Sequence, residues 1–173
     1  EYQGYDYETV QIGEQCWFAE DLRTAHFTNA DLIAFAPDIN YSVANSVDEP
    51  VYALPFDQYS GQNGVYGKLY NYPAVMDSRG LCPSGWIVSS ADDWEDLKGW
   101  ISTNTWLPNA RVLKSEADWS PPTNGLDLFG FNAKPSGHYT QGSCFAGQEA
   151  NSIGLWWTST ESEISGQIYW MES

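Results

Sequence analysis

The sequence predicts an α+β fold built from short, loop-linked elements. Three observations point there. Fifteen Gly and nine Pro are scattered through 173 residues, which leaves little room for long uninterrupted elements. Only one stretch repeats apolar residues at helical spacing, and the remaining apolar runs are short and strand-like. Helical signals fall in the first two thirds and strand signals in the last third, the segregated order expected of α+β rather than α/β chains.

Taken in chain order, the Tyr7–Ile12 run alternates and stops at Gly13, which predicts an edge or N-terminal strand. Residues 36–64 are rich in Pro, Asn, Asp and Ser with isolated aromatics and read as a long loop or insertion. Pro73, then Ala74, Val75, Met76 and Asp77, closed by Gly80, predicts a short helix with Pro in its first turn and Gly past its end. Ser90 with Asp93 three residues later forms a capping-box pattern, Asp replacing the usual Glu. Trp94, Leu97, Trp100 and Ile101 follow at helical spacing, so a helix is expected over 91–101. Short strands are expected around Phe129 and Phe131, over Leu155–Thr158 and over Gln167–Trp170.

Length and charge bound the function. A chain of 173 residues can bury a sizeable core as a single domain, here read as 1–173. Seven basic against 23 acidic side chains leave a net charge of −16, which makes nucleic acid and anionic lipid poor partners. No apolar run approaches membrane-spanning length, and no basic-then-apolar signal layout opens the sequence. With 42% apolar and only 17% charged residues, the composition is that of a folded chain. Cys16, Cys82 and Cys144 form no CxxC pair; they read equally as free thiols or as a Cys16–Cys82 bridge with one thiol over.

Catalytic templates return nothing. GxSxG, HExxH and phosphate-binding glycine loops are absent, and neither His26 nor His138 is paired by a signature with a nucleophile. The acidic run Asp92, Asp93, Glu95 and Asp96 lacks the spaced oxygen ligands of a calcium loop and suits a helix N-terminus instead. No enzyme activity, cofactor or metal is therefore expected. Trp17, Trp86, Trp94, Trp119 and Trp157 sit in short apolar blocks and are read as core packing, with Pro83, Gly85, Pro135 and Gly137 setting chain reversals beside them.

Seven blocks carry a resemblance: YETVQIGEQCWFAEDL over 7–22, YGKLYNY over 66–72, LCPSGW over 81–86, DWEDL over 93–97, LKSEADW over 113–119, GFNAKPSG over 130–137 and WWTSTE over 156–161. In this order the chain resembles the Fibrobacter succinogenes major paralogous domain family. The resemblance covers nearly the whole chain, with residues 30–64 the least matched. It implies a C-type lectin-like fold, related to that of formylglycine-generating enzymes, with short helices packed on small twisted antiparallel sheets. Two features depart from the family pattern. Family members commonly carry a further Cys-containing strand after the last block, so Cys82 is expected to lack its usual partner here. The family also more often has a single aromatic before the Trp, where this chain has Trp156 and Trp157.

The C-terminal segment 138–173 is the expected ligand-binding region. From His138 to Thr160 the only charged residue is Glu149, and 19 of the 23 acids precede residue 138. The segment is poor in Val, Ile and Leu, so it reads as a recognition surface rather than as buried strands. Tyr and Trp supply rigid contacts while Ser, Asn and Gly supply adaptable hydrogen bonds, a paratope-like mixture. The resemblance sharpens this, because C-type lectin-like relatives act as variable proteins of diversity-generating retroelements, whose adenine-directed errors rewrite codons near the gene's end. Such codons yield residue types like those at His138, Thr140, Ser143, Cys144, Asn151, Ser152, Ile153, Leu155, Ile164, Ser165 and Tyr169, whereas Trp156, Trp157, Trp170 and Met171 would be scaffold. The expected ligand contacts are His138, Tyr139, Thr140, Asn151, Ser152, Leu155, Trp156, Ile164 and Tyr169. The expected partner is a protein or cell-surface ligand, glycans included, in an extracellular or cell-surface setting. The alternative is a secreted adhesion or carbohydrate-binding module of fixed specificity. It would work without calcium, since the Glu-Pro-Asn, Gln-Pro-Asp and Trp-Asn-Asp motifs are absent and Asp48-Glu49-Pro50 is only an echo. A formylglycine-type oxidase needs a cysteine pair that Cys144 alone cannot supply.

Overall fold

A computed structural model describes residues 1–36, 49–55, 66–120, 124–138, 152–161 and 166–172, with backbone only for 166–170 and 172. The mixed α+β character is present, but strands occur at both ends of the chain. Strands β1 (Thr9–Ile12) and β2 (Gln15–Phe18) form a hairpin, with Gly13 at φ +62° in the turn. A side chain at Gly13 would run into the Trp100 ring, so the turn needs both the left-handed backbone and the missing Cβ. A second sheet orders β3 (Ala34–Phe35), β4 (Val51–Ala53) and β5 (Leu69–Tyr70), parallel then antiparallel. Strand β4 falls inside the predicted loop. Its Val-Tyr-Ala run is short and lies between Pro50 and Pro55, so local pattern alone hides it.

Helix α1 (Tyr72–Val75) is capped by the Asn71 side chain and carries Pro73 in its first turn. The predicted stop at Gly80 belongs to a separate turn, closed by Gly80 N–H donating to the Asp77 carbonyl at 2.9 Å. Helix α2 (Ala91–Asn104) has the predicted capping box: the Ser90 hydroxyl accepts from Asp93 N–H at 3.2 Å, and Asp93 accepts from Ser90 N–H at 2.7 Å. It runs three residues beyond the expected end. Helix α3 (Asn109–Leu113) follows, and the C-terminal hairpin pairs β6 (Ile153–Glu161) with β7 (Gly166–Glu172). The strand expected at Phe129 and Phe131 is instead a turn, because Asp127, Gly130 and Asn132 all adopt positive φ.

Two apolar clusters organise these elements. The first gathers Trp94, Leu97 and Ile101 from one face of α2 with Val112, Leu113, Trp119, Phe131 and Met171. The second gathers Phe27, Ile33, Ala74, Val75 and Leu81. Of the five tryptophans assigned to the core, Trp94 and Trp119 are buried, Trp17 and Trp157 are half-buried against the clusters, and Trp86 stacks on Phe18 with centroids 4.2 Å apart. Cys16 and Cys82 are both free thiols, so the bridge reading falls. Burial pushes the Cys82 thiol pKa up to about 11.

The core assignment sets a simple contrast. Leu97 is fully buried, and Leu97→Ala should cost about 2–5 kcal/mol by urea unfolding through lost burial and the cavity left behind. Trp106 is 91% exposed, and Trp106→Ala should stay within about 0.5 kcal/mol.

Candidate functional site

Strand alternation decides where the cleft wall comes from. Adjacent residues on β6 face opposite sides, so Trp156 packs against the first cluster and Trp157 against the second. Trp157 Nε1 donates to the Tyr70 carbonyl at 2.7 Å, and Trp156 Nε1 donates to Asp21 Oδ1 at 3.2 Å. Gly154 makes the Trp156 pose possible: a Cβ there would lie 2.4 Å from the Trp156 ring and 2.7 Å from the Lys134 carbonyl. The segment before the cleft wall is tied to β6 by Gly137 N–H donating to the Ile153 carbonyl at 2.9 Å.

Between these elements opens a cleft of about 1130 Å³, with Trp17, Trp86, Trp94, Tyr70, Trp156 and Trp157 among its lining residues. Rings run continuously along one side. Trp17 and Trp94 have centroids 4.8 Å apart, and Trp94 and Trp156 6.2 Å. Among the described lining residues, Glu14, Glu20, Asp21 and Asp93 oppose the single ammonium of Lys68. Two of these groups already serve local structure: Asp93 caps α2, and Glu20 lies 3.4 Å from Arg23. Lys68 Nζ donates to the Arg23 carbonyl and sits 5.2 Å from the Tyr52 ring centroid; burial lowers its pKa.

Asp21 is the polar centre of this wall. Its Oδ2 accepts from the Ser136 hydroxyl at 2.7 Å, and its Oδ1 accepts from Trp156. The residue keeps some exposed surface, but its carboxyl is dehydrated. Dehydration raises its pKa above the ordinary 3.8, opposed by the hydrogen bonds from Ser136 and Trp156, the charge of Arg23 and a backbone bond from Gly67. Two buried nitrogens on cleft-lining residues, Trp17 Nε1 and His138 Nδ1, have no hydrogen-bond partner among the described residues. Among the described residues, no group of three or more His, Cys, Asp or Glu could hold a metal ion. No described helix is long and apolar enough to cross a membrane.

The structure brings three of the expected ligand contacts, His138, Leu155 and Trp156, onto the cleft. Ser152 lies off it, its hydroxyl 3.3 Å from that of Ser120. Tyr169 pairs with Trp156 in the β6–β7 register. Tyr139, Thr140, Asn151 and Ile164 lie outside the described residues. The surface reading needs correction where the segment is described. From 152 to 160 no residue is exposed, and Ile153, Gly154 and Thr158 are buried. Tryptophan here fills the role that Val, Ile and Leu usually take in a buried strand, so composition does not mark the strand as buried. Trp156 is therefore cleft wall and core contact together, not a freely displayed ring. Asp21, Ser136 and Lys68 escaped sequence reasoning. Asp21 and Ser136 lie 115 residues apart, and no spacing rule links them.

The family model described as the Fibrobacter succinogenes major domain matches residues 10–173. Comparison with curated proteins and with solved structures gives no significant match.

The raised Asp21 pKa makes a signed prediction. Between the unfolded value and the higher folded one, the native chain holds the extra proton. Asp21's contribution to stability is thus fullest below pH 3.8 and falls as pH rises through the folded value. Urea midpoints measured across that range should show this negative slope against the background of the other carboxyls, and Asp21→Asn should remove its share.

Proposed function

Because the chain belongs to the Fibrobacter succinogenes major domain family, we propose that it is a non-catalytic recognition protein on a C-type lectin-like scaffold. Its C-terminal strand pair carries one wall of a ligand-binding cleft, and the chain serves as the variable protein of a diversity-generating retroelement. The ligand is a protein or cell-surface molecule met outside the cell. One observation carries this reading: residues from the nearly uncharged segment, His138, Leu155 and Trp156, line a large aromatic cleft together with distant parts of the fold. Concave, mostly apolar sites with a few placed polar groups are the usual form of a ligand pocket. Trp156 and Met171 belong to the framework, held by the Asp21 bond and by core burial, while His138 and Leu155 are changeable positions on the same cleft. Ile153 is buried in β6, so it belongs with the framework rather than with the changeable set.

The gene tests the retroelement reading directly. Its neighbourhood should hold a reverse transcriptase and a near-copy of the 3′ end, differing only at adenines. Those differences should fall in codons such as those for His138, Thr140, Asn151, Ser152, Leu155, Ile164 and Tyr169, and spare Ile153. Absence of both the enzyme and the repeat overturns the variable-protein reading.

A second reading, a carbohydrate-binding module of fixed specificity, draws on the same rings, since flat aromatic faces can stack on sugars. A glycan array run with chelator separates the two. One glycan class retained without calcium and lost in Trp156→Ala supports fixed specificity, and a blank array removes it.

A further inference from the structure

We propose that the cleft seats an organic cation, an alkylammonium or guanidinium group, on the Asp21 carboxylate against the rings of Trp156 and Trp17. This rests on the reading of the cleft as the ligand site. A dehydrated carboxylate is normally matched by a cation or by several hydrogen bonds. Asp21 has the hydrogen bonds but no described ion pair: its described donors are the Ser136 hydroxyl, the Trp156 indole and the Gly67 amide, all neutral, and Arg23 acts on it only through its field.

The cations close by are engaged elsewhere. Arg23 lies 3.4 Å from Glu20 and 4.9 Å from the Tyr5 ring centroid, and Lys68 is held by the Arg23 carbonyl and the Tyr52 ring. Among the described residues Asp21 forms no ion pair. A carboxylate bound by three neutral donors still has acceptor capacity left. The ring joined to it begins an aromatic run, and ring faces attract cations, most strongly where water is excluded. The described lining carries four carboxylates against one ammonium, and the whole chain carries −16. That field favours cations and repels anions on approach. An anionic ligand meets its own sign of charge at every stage. A neutral one leaves the carboxylate's charge unmatched.

The chemistry is shared by a free quaternary amine and by a lysine side chain on a protein ligand. The test therefore uses benzyltrimethylammonium, N-acetyl-lysine methylamide and neopentylbenzene, the uncharged carbon isostere of the first, each titrated into the whole chain. The readout is the NMR shift of the indole N–H signals of Trp156 and Trp157. Benzyltrimethylammonium should bind at least about tenfold more tightly than its isostere, a difference of about 1.4 kcal/mol. Asp21→Asn should abolish that preference. Binding by the lysine derivative as well identifies a side-chain site; binding by the quaternary amine alone identifies a free amine ligand, and either supports the proposal. The wild-type comparison needs no variant, so a poorly folded Asp21→Asn does not blunt it. Equal binding of cation and isostere overturns the cation assignment and leaves the cleft as a ligand site. No indole shift with any probe overturns both.

Discussion

Two neighbouring tryptophans on β6 are divided between two apolar clusters, and this division is the constraint on which the rest of the structure depends. Strand alternation sends Trp156 to one side and Trp157 to the other. Each indole N–H finds an acceptor, Asp21 for the first and the Tyr70 carbonyl for the second. One strand thereby ties the helical cluster around α2 to the smaller cluster around Phe27. The pairing also needs an absence. Without a side chain at Gly154, the Trp156 ring can lie back along its own strand and reach Asp21.

The cleft follows from that arrangement. Asp21 comes just after β2, Ser136 comes before the C-terminal hairpin, and Trp156 belongs to the hairpin itself. Their meeting joins three distant parts of the chain in one wall. It also brings a negative charge into a dehydrated position. Neutral donors and the charge of Arg23 offset part of that cost. The three residues fall in three of the blocks that carry the family resemblance, so the same contact serves fold and cleft.

What was legible in the sequence was local. Ser90 and Asp93 cap α2 as their spacing implies, because a capping box needs only four consecutive residues. Gly13 turns the first hairpin for a similarly local reason. Strand β4 was not legible, since three residues between prolines carry too little pattern, and its strand state rests on β3 and β5. Phe129 and Phe131 alternate like a strand, yet positive φ at Asp127, Gly130 and Asn132 coils that segment into a turn. The uncharged C-terminal stretch is unusual in so acidic a chain. Its low charge over 152–160, however, reflects burial between two clusters as much as any exposed face.

The sequence by itself determined the α+β character, the family, the helix start at Ser90 and the acidity of the chain. Each of these depends on composition, order or a few adjacent residues. Tertiary structure alone decided that Trp156 is half wall and half core, that Cys16 and Cys82 stay apart, and that Asp21 meets Ser136 and Trp156 in the cleft. Burial and hydrogen bonding between residues 115 and 135 positions apart leave no periodic trace along the chain. Only the folded backbone, with Gly154 open beneath a tryptophan ring, brings those groups within reach of one another.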